Sequence, residues 1–191
     1  SSAENCTDND LYLKAATSLH KLQPTSQSAY FLYRLNASRG NVDEALSYIS
    51  EALAYTDLET ETAADYNYEA AAFCVKNGRN PQAITFAEKA KELSSSYAGK
   101  VYFLIGTIWG ATSCGGDEIS RRAPYWVAVD YMERAKAADA SLAEDCNRMI
   151  SQYRVYYPQT AEAFMYNLTD GQSYTFSCGG MRATTTVRTQ K

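Results

Sequence analysis

The feature that most constrains this chain is a helical pattern, interrupted by glycine, that recurs along the sequence. Three small residues of one segment recur in the next at an offset of 38: Gly40, Ala45 and Ala52 correspond to Gly78, Ala83 and Ala90. Small residues at equivalent positions let two antiparallel helices approach closely, so the shared offset indicates repeated packing. A repeated unit of helix, tight glycine turn and helix is the building block of an α-solenoid.

Apolar residues at intervals of three and four residues predict helix along most of the chain up to Pro158. The predicted helices cover residues 10–22, 26–38, 41–55 and 62–76, and a fifth begins near residue 80. Asn80 is expected to cap that helix, with Pro81 at its first position, where the missing N–H costs nothing. A helix over residues 141–156 would close the stack. Residues 10–22 resemble the second half of a preceding repeat, so a longer solenoid is expected.

The third unit carries a repeat signature. It reads Tyr102-x-x-Ile105-Gly106-x-x-Trp109, which resembles the tetratricopeptide repeat (TPR) signature W-x₂-L-G-x₂-Y with its aromatic ends exchanged. The resemblance implies an all-α, TPR-type solenoid, which is a right-handed superhelix of helix–turn–helix pairs. The expected boundaries are a helical repeat domain over 1–158, repeats at about 26–57, 64–95 and 98–140, and a loop insertion at 113–122.

The sequence pattern changes after Pro158. Residues 160–166 can form one more helical stretch, and residues 173–177 and 182–188 are typical of two short strands around a glycine turn. Two strands alone are only marginally stable in water, so this β-hairpin must dock on the helical body. We therefore expect a C-terminal cap and tail over residues 159–191.

Two stretches in the C-terminal third resemble a narrower family, the exported TPR proteins of Bacteroidetes. The stretches are Cys114-Gly followed by Ala123-Pro-Tyr-Trp-Val-Ala-Val-Asp130, and Asp170-Gly-x-Ser173-Tyr-Thr with Thr185-Thr-Val-Arg188 near the end. This resemblance implies an α-solenoid, export to the periplasm or outer membrane, and interaction with other proteins. It supplies no catalytic residues. Cys178-Gly-Gly-Met181 departs from it, because the resemblance places a tryptophan-containing segment at this turn.

Composition and motifs exclude several functional classes. The 191 residues include 18 Lys and Arg against 22 Asp and Glu, and the net charge of −4 argues against nucleic acid as a partner. No apolar run approaches the roughly 18 residues that a membrane-spanning helix requires. The single histidine, His20, has no cysteine or carboxylate spaced to complete a metal site, so neither a metal nor a cofactor is expected. The sequence contains no phosphate loop, nucleophile elbow or metalloprotease motif.

The five cysteines indicate the redox compartment, and no two of them form a C-x-x-C pair. Cys114 and Cys178 each open a Cys-Gly-Gly triplet outside the predicted helices, whereas Cys74 and Cys146 lie inside helical patterns. We predict a disulfide between Cys114 and Cys178 that anchors the hairpin to the inserted loop, which favours an exported protein. The alternative is two free thiols, because sequence alone cannot fix connectivity.

The predicted binding surface is the concave groove formed by the first helix of each repeat. When the repeats are aligned on their glycines, one position is aromatic in all three, and basic residues lie beside it. Equivalent positions form a ladder along a stacked solenoid, and aromatic anchors with a few charges favour peptide binding. The alternative is that these rings pack within the superhelix or under the tail. The expected binding residues are Tyr30, Arg34, Tyr68, Lys76, Lys100 and Phe103.

These patterns predict a non-enzymatic scaffold that binds a protein or peptide and is periplasmic or associated with the outer membrane. Two alternatives stay open. A thiol or disulfide redox protein would use Cys114 or Cys178, with a neighbouring arginine lowering the thiol pKa. A glycan-handling accessory protein of the envelope would need Trp109 or Trp126 to be exposed, although both fall at helix-packing positions.

Overall fold

The computed structural model describes the backbone of residues 2–191 and the side chains of residues 10–191. Helices dominate, and a two-stranded antiparallel sheet follows them at the C-terminal end. The helices are α1 (Ser2–Leu22), α2 (Ser26–Ser38), α3 (Val42–Ala54), α4 (Thr60–Lys76), α5 (Asn80–Leu93), α6 (Ala98–Gly110), α7 (Glu118–Ala138), α8 (Ala143–Arg154) and α9 (Thr160–Met165). The strands are β1 (Ser173–Cys178) and β2 (Met181–Thr186), and short 3₁₀ turns at Ser95–Tyr97 and Ala140–Leu142 precede α6 and α8.

Three consecutive helix pairs form the body of the molecule: α2 with α3, α4 with α5, and α6 with α7. We call the first helix of each pair the A helix and the second the B helix. Each B helix also contacts the A helix of the next pair, and α8 continues this order by packing against α7. The predicted fold class, a TPR-type α-solenoid with a short C-terminal hairpin, is confirmed.

The turns inside the first two pairs explain the recurring glycines. Gly40 and Gly78 have φ angles of +76° and +71°, a left-handed conformation that glycine adopts without steric cost. The N–H of Arg79 donates to the carbonyl of Cys74 at 2.8 Å, and Asn41 donates to Asn36 in the same way at 2.9 Å. Both A helices therefore end in a Schellman motif, which returns the chain directly into the B helix.

The core changes character along the stack. In the first two pairs most of the buried B-helix positions are alanines, and Ala45, Ala52, Ala83 and Ala90 have no exposed surface. At the third pair the core contains Trp109 and Trp126, which are 2% and 0% exposed. Small side chains thus fill much of the core of the first pairs, whereas large rings fill the space under the C-terminal hairpin.

Two local predictions need correction. The inserted loop is shorter than expected, because α7 begins at Glu118 and carries Pro124 inside it; Asp117 caps this helix by accepting a hydrogen bond from the Ser120 N–H at 2.8 Å. Asn80 is the first residue of α5 and not its cap, since Arg79 precedes the helix at the capping position. The helix predicted to begin at residue 10 extends back to Ser2.

The hairpin docks on the third pair through its aromatic residues. Tyr174 of β1 meets Trp126 edge-on, and Phe176 meets Trp109 edge-on, each with 5.6 Å between ring centroids. Beyond β2, the carbonyl of Arg188 accepts a hydrogen bond from Trp126 Nε1 at 2.9 Å, and the Arg188 guanidinium forms an ion pair with Asp130. The tail is therefore tied to α7 by both packing and charge.

A disulfide joins Cys114 to Cys178, with 5.7 Å between the Cα atoms. Cys114 lies in the loop between α6 and α7, and Cys178 ends β1 at the hairpin turn. The bridge is the pairing expected from the two Cys-Gly-Gly triplets, and it anchors the hairpin at its tip. Among residues 2–191, no helix is both long and apolar enough to cross a bilayer.

Candidate binding site on the A helices

The six predicted binding residues all lie on A helices, and we call the surface that they share the A-helix face. The basic side chains are exposed, whereas the aromatic rings are half-buried against the core. The structure does not join the six into one ladder. It divides them into two clusters, with Phe103 apart from both, and the members are Tyr30, Arg34 and Lys76 in the first cluster and Tyr68 and Lys100 in the second.

The first cluster forms where α2 meets α4. The ring of Tyr30 stacks on the ring of Tyr66, with centroids 4.0 Å apart and planes 4° from parallel. The Tyr30 hydroxyl donates a hydrogen bond to Glu69 Oε2 at 2.5 Å. Burial, together with the hydrogen bond to Glu69, raises the pKa of Tyr30 to about 12, so this hydroxyl stays a donor at physiological pH. Both rings are therefore held in fixed positions before any ligand arrives.

A pocket of about 440 Å³ opens beside this stack. Arg34 and Lys76 lie on its rim, and neither has a carboxylate within salt-bridge distance among the side chains of residues 10–191. Its remaining walls include the aromatic rings Tyr33 and Phe73 and the carboxylate of Glu69. The pocket thus combines two aromatic rings and one carboxylate with two cations that form no salt bridge to a described side chain.

The second cluster lies where α4 meets the start of α6. The ring of Tyr68 packs against that of Tyr97 at 5.1 Å, and Lys100 places its Nζ 5.7 Å from the Tyr97 ring centroid. Tyr97 also donates a hydrogen bond to Asp65, and burial and this bond raise its pKa to about 12. The local surface is aromatic with one positive and one negative charge.

Repeat alignment missed the residues that complete these clusters. Tyr66, Glu69 and Tyr97 are direct partners of predicted residues, but they occupy other positions of the repeat. Tyr66 and Tyr68 are two residues apart, so they point to different sides of α4, and only Tyr66 reaches back to α2. Only the position shared by all three repeats was considered on α4. A search that included every aromatic residue of this helix could have found Tyr66.

The single histidine lies outside the pocket described above. His20 is buried, with its Nδ1 2.5 Å from Ser28 Oγ and its Nε2 2.7 Å from Glu51 Oε1. It therefore fixes α1 to α2 and α3 and is far along the chain from the pocket residues of α4. Within the described part of the chain, no group of three His, Cys, Asp or Glu side chains could hold a metal.

The structure also places the residues that the two alternative functions would use. Cys114 and Cys178 are joined in the disulfide, and Cys74 and Cys146 are buried. Burial raises the pKa of Cys74 to about 11 and also raises that of Cys146, which makes both poor nucleophiles. Trp109 and Trp126 are buried and cannot form an exposed platform for sugars.

Comparison with known proteins gives information on the fold alone. No family model matches the chain, and no curated protein sequence matches it. The crystal structure of MamA is similar, with a TM-score of 0.52 and 15% sequence identity over 80% of this chain and 86% of that one.

Two further crystal structures are more distant. Another structure of MamA has a TM-score of 0.46 and 14% identity, covering 87% of this chain and 90% of that chain. BtubC from P. vanneervenii has a TM-score of 0.45 and 14% identity, covering 84% of this chain and 64% of that chain. At such identities a similarity concerns architecture alone, and the conclusion that this chain has a TPR-like helical repeat fold rests on the first MamA structure, with its TM-score of 0.52.

Proposed function

We propose that this chain is a non-enzymatic, exported scaffold that binds a protein or peptide on the A-helix face. The observation that carries the proposal is the first cluster, where the stacked Tyr30 and Tyr66 rings adjoin a pocket rimmed by Arg34 and Lys76. In this proposal residues 1–158 form the binding domain, and residues 159–191 cap it.

The physical argument rests on pre-organisation. Ordering flexible side chains at an interface costs about 0.5–1.5 kcal/mol each, but the Tyr30 ring is already fixed by stacking and by its bond to Glu69. Aromatic residues in such positions are frequent hot spots of protein interfaces. Among the side chains of residues 10–191, Arg34 and Lys76 form no ion pair that a ligand would have to break, so an anionic group of the ligand can pair with them directly. The favoured ligand is therefore a peptide segment that carries an apolar side chain and a carboxylate.

The disulfide supports the proposed location. Disulfides form and persist in oxidising compartments and are rare in the cytosol. Together with the resemblance to exported Bacteroidetes proteins, this favours a periplasmic or outer-membrane-associated protein. Alkylation of the native protein in cell extracts, before and after reduction, would measure whether Cys114 and Cys178 are bridged in the cell.

The test of binding is site-specific photo-crosslinking in the native envelope. A photoreactive residue in place of Ser38, which lines the pocket, should capture a partner, whereas one in place of Lys89 on the B helix α5 should not. The charge-reversing pair Arg34→Glu and Lys76→Glu should prevent the photoreactive residue in place of Ser38 from capturing the partner. Arg121→Glu, an exposed change outside the pocket, is the matched control.

A second pair of variants separates binding from folding. Tyr30→Ala with Tyr68→Ala should abolish capture, and Arg34→Glu with Lys76→Glu should do so without changing the melting temperature. If the charge reversals leave capture unchanged, or if the same partner is captured equally from Lys89, the A-helix face is not the binding site. If the two alanine substitutions unfold the chain while the charge reversals have no effect, the rings belong to the core alone.

A further inference from the structure

A cavity of about 550 Å³ lies at the C-terminal end of the stack, where α7, the end of α8 and the tail meet. Its volume lies within the range of about 300–1,000 Å³ that small-molecule sites occupy. None of the six expected binding residues lines it, so it is separate from the A-helix face. Its charged and phenolic lining residues are Glu133, Arg154, Tyr157, Asp170, Arg188 and Lys191.

Tyr157 brings an unpartnered hydroxyl to this cavity. The residue is 6% exposed, and its buried Oη has no hydrogen-bond partner among the described residues. Burial raises the pKa of Tyr157, while the nearby guanidinium groups of Arg188 and Arg154 act to lower it, so the hydroxyl keeps its proton at physiological pH. Buried hydroxyls are normally paired, and arginine can only donate. The group that this hydroxyl proton lacks is therefore an acceptor.

The two carboxylates that line the cavity already have donors. Glu133 forms a salt bridge with Lys136 on the same helix at 2.8 Å. Asp170 Oδ1 accepts a hydrogen bond from the backbone N–H of Thr189 at 2.8 Å. The acids of the cavity wall are thus occupied by other partners.

The cations of the cavity are only partly matched. Arg188 forms its ion pair with Asp130, whose other oxygen accepts a hydrogen bond from Thr185 at 2.5 Å. Among the side chains of residues 10–191, Arg154 and Lys191 form no salt bridge. Arg154 is also exposed, so a ligand can reach it from solvent. The unmatched charge at the cavity is therefore positive, and it lies near the unpartnered hydroxyl.

The wall that carries Tyr157 is fixed by the tail. Gln190 Nε2 donates hydrogen bonds to the carbonyls of Val155 and Tyr157, each at 2.9 Å. The backbone N–H of Gln190 donates to the carbonyl of Pro158 at 2.9 Å. The segment after α8 is thus held in place before a ligand arrives, which lowers the entropic cost of binding.

We propose that this cavity binds a small organic molecule through a carboxylate group, which accepts hydrogen bonds from the Arg154 guanidinium and the Tyr157 hydroxyl. A planar carboxylate matches the paired N–H donors of a guanidinium. Val129 and the ring of Tyr157 offer apolar surface to the rest of the molecule. This binding is independent of the A-helix face, since the two sites share no residue.

A carboxylate fits the cavity better than a phosphate group does. A phosphate monoester carries a charge of about −1.5 to −2 at neutral pH. Glu133 and Asp170 line the same cavity and would repel the second charge. A carboxylate brings a single negative charge, which Arg154 can balance alone.

Amide chemical shifts of the full 191-residue chain, followed by NMR during titration, measure this binding. The probes are benzoate, hexanoate and 2-naphthoate, each added up to about 10 mM, a range that detects millimolar dissociation constants. We expect at least one of them to cause saturable shifts at residues 154–157 and 187–190. Benzamide keeps the ring but lacks the charge, so it should bind at least about tenfold more weakly than benzoate. Phenyl phosphate should also bind more weakly than benzoate.

Substitutions assign the contacts within the cavity. Arg154→Gln should raise the dissociation constant of the carboxylate probe at least about tenfold, because it removes the charge that balances the ligand. Tyr157→Phe should raise it about three- to tenfold, because it removes one donor and keeps the ring. Arg148→Gln is the matched control, since Arg148 is an exposed arginine on the same helix that pairs with Asp145, and it should leave binding unchanged.

Melting curves without probe separate a ligand contact from a structural one. Tyr157→Phe removes a buried hydroxyl that makes no hydrogen bond, so its melting temperature should be no lower than that of the parent protein. A lower melting temperature would show that the hydroxyl has a structural partner and would overturn the proposal. So would the absence of saturable shifts with all three carboxylates, or binding that Arg154→Gln does not weaken. Tighter binding of phenyl phosphate than of benzoate would overturn the assignment to carboxylates and identify a phosphate site.

Discussion

The two ends of the solenoid differ in how their outermost helices meet solvent. At the C-terminal end, α8 presents polar residues outward, and the tail and the disulfide hold the third helix pair from the side. Apolar residues are exposed there only beyond α8, on the segment around Val155 and on α9. At the N-terminal end, Leu11, Leu19 and Leu22 of α1 itself are exposed.

This difference indicates a division of roles along the chain. The large rings, the hairpin and the cross-link stabilise the third pair, so this end acts as the anchor of the fold. The first two pairs carry the small core residues and the first A-helix cluster. The proposed peptide-binding pocket thus lies on the less strongly anchored part, as expected where binding elements come from regions of lower local stability.

The largest expected effect comes from Trp126→Ala. Trp126 is fully buried, packs against Tyr174 and donates to the Arg188 carbonyl, so the variant leaves both a cavity and an unpaired acceptor. We expect the free energy of unfolding to fall by about 4–5 kcal/mol, measured by urea denaturation. Leu19→Ala, at the other end, should change it by less than about 0.5 kcal/mol. Equal losses at both ends would contradict the division of roles.

Removal of the disulfide should have the next largest effect. The bridge spans a sequence separation of 64 residues, and Cys114→Ser with Cys178→Ser should lower the free energy of unfolding by about 2–4 kcal/mol, chiefly through the entropy of the unfolded chain. A reductant should reproduce this loss in the parent protein and have no further effect on the double variant. Equal stability of reduced and oxidised protein would show that the hairpin needs no anchor.

Asp130→Asn tests the charged attachment of the tail. Asp130 accepts a hydrogen bond from Thr185 at 2.5 Å and forms an ion pair with Arg188, and both donors lie in the tail segment. We expect a loss of about 1.5–3 kcal/mol in the free energy of unfolding. Glu133→Gln removes an exposed pair with Lys136 on the same helix and should cost less than about 1 kcal/mol. If the two variants cost the same, the tail is held by packing alone.

The smallest effect is expected at the turn of the second pair. Gly78 has a φ of +71°, and no atom lies within 4 Å of an added Cβ, so Gly78→Ala tests backbone strain without a steric clash. We expect the free energy of unfolding, measured by thermal denaturation, to fall by about 1–2 kcal/mol. Gly115→Ala, in the loop between α6 and α7, also meets no neighbour and has no positive φ, so it should be nearly neutral. A neutral Gly78→Ala would mean that the turn tolerates another conformation.

Local signals in the sequence are sufficient to predict the fold. The glycine turns, the alanines at offset 38 and the Cys-Gly-Gly triplets are each determined by backbone geometry or by covalent chemistry that leaves a recognisable residue type. The loop predicted over residues 113–122 overlaps the start of α7, although Asp117 and Glu118 form a good N-terminal signal.

The neighbours of the residues in the candidate binding site are harder to predict from the sequence than the fold is. Repeat alignment identifies residues at equivalent positions, but the superhelical rotation decides which neighbours they meet. Tyr30 therefore pairs with Tyr66 and not with its equivalent, Tyr68. The exposed face of α1 is likewise invisible in the sequence, because its leucines have the spacing of any core-facing helix.

Hydrogen exchange measured by mass spectrometry on dilute native protein tests the division of roles most directly. Our account predicts that amides of α6, α7 and β2 exchange most slowly, with free energies of opening near that of global unfolding, and that amides of α1 exchange fastest among the long helices. Protection of α1 equal to that of α7 in dilute solution, or uniform protection along the whole stack, would contradict the account.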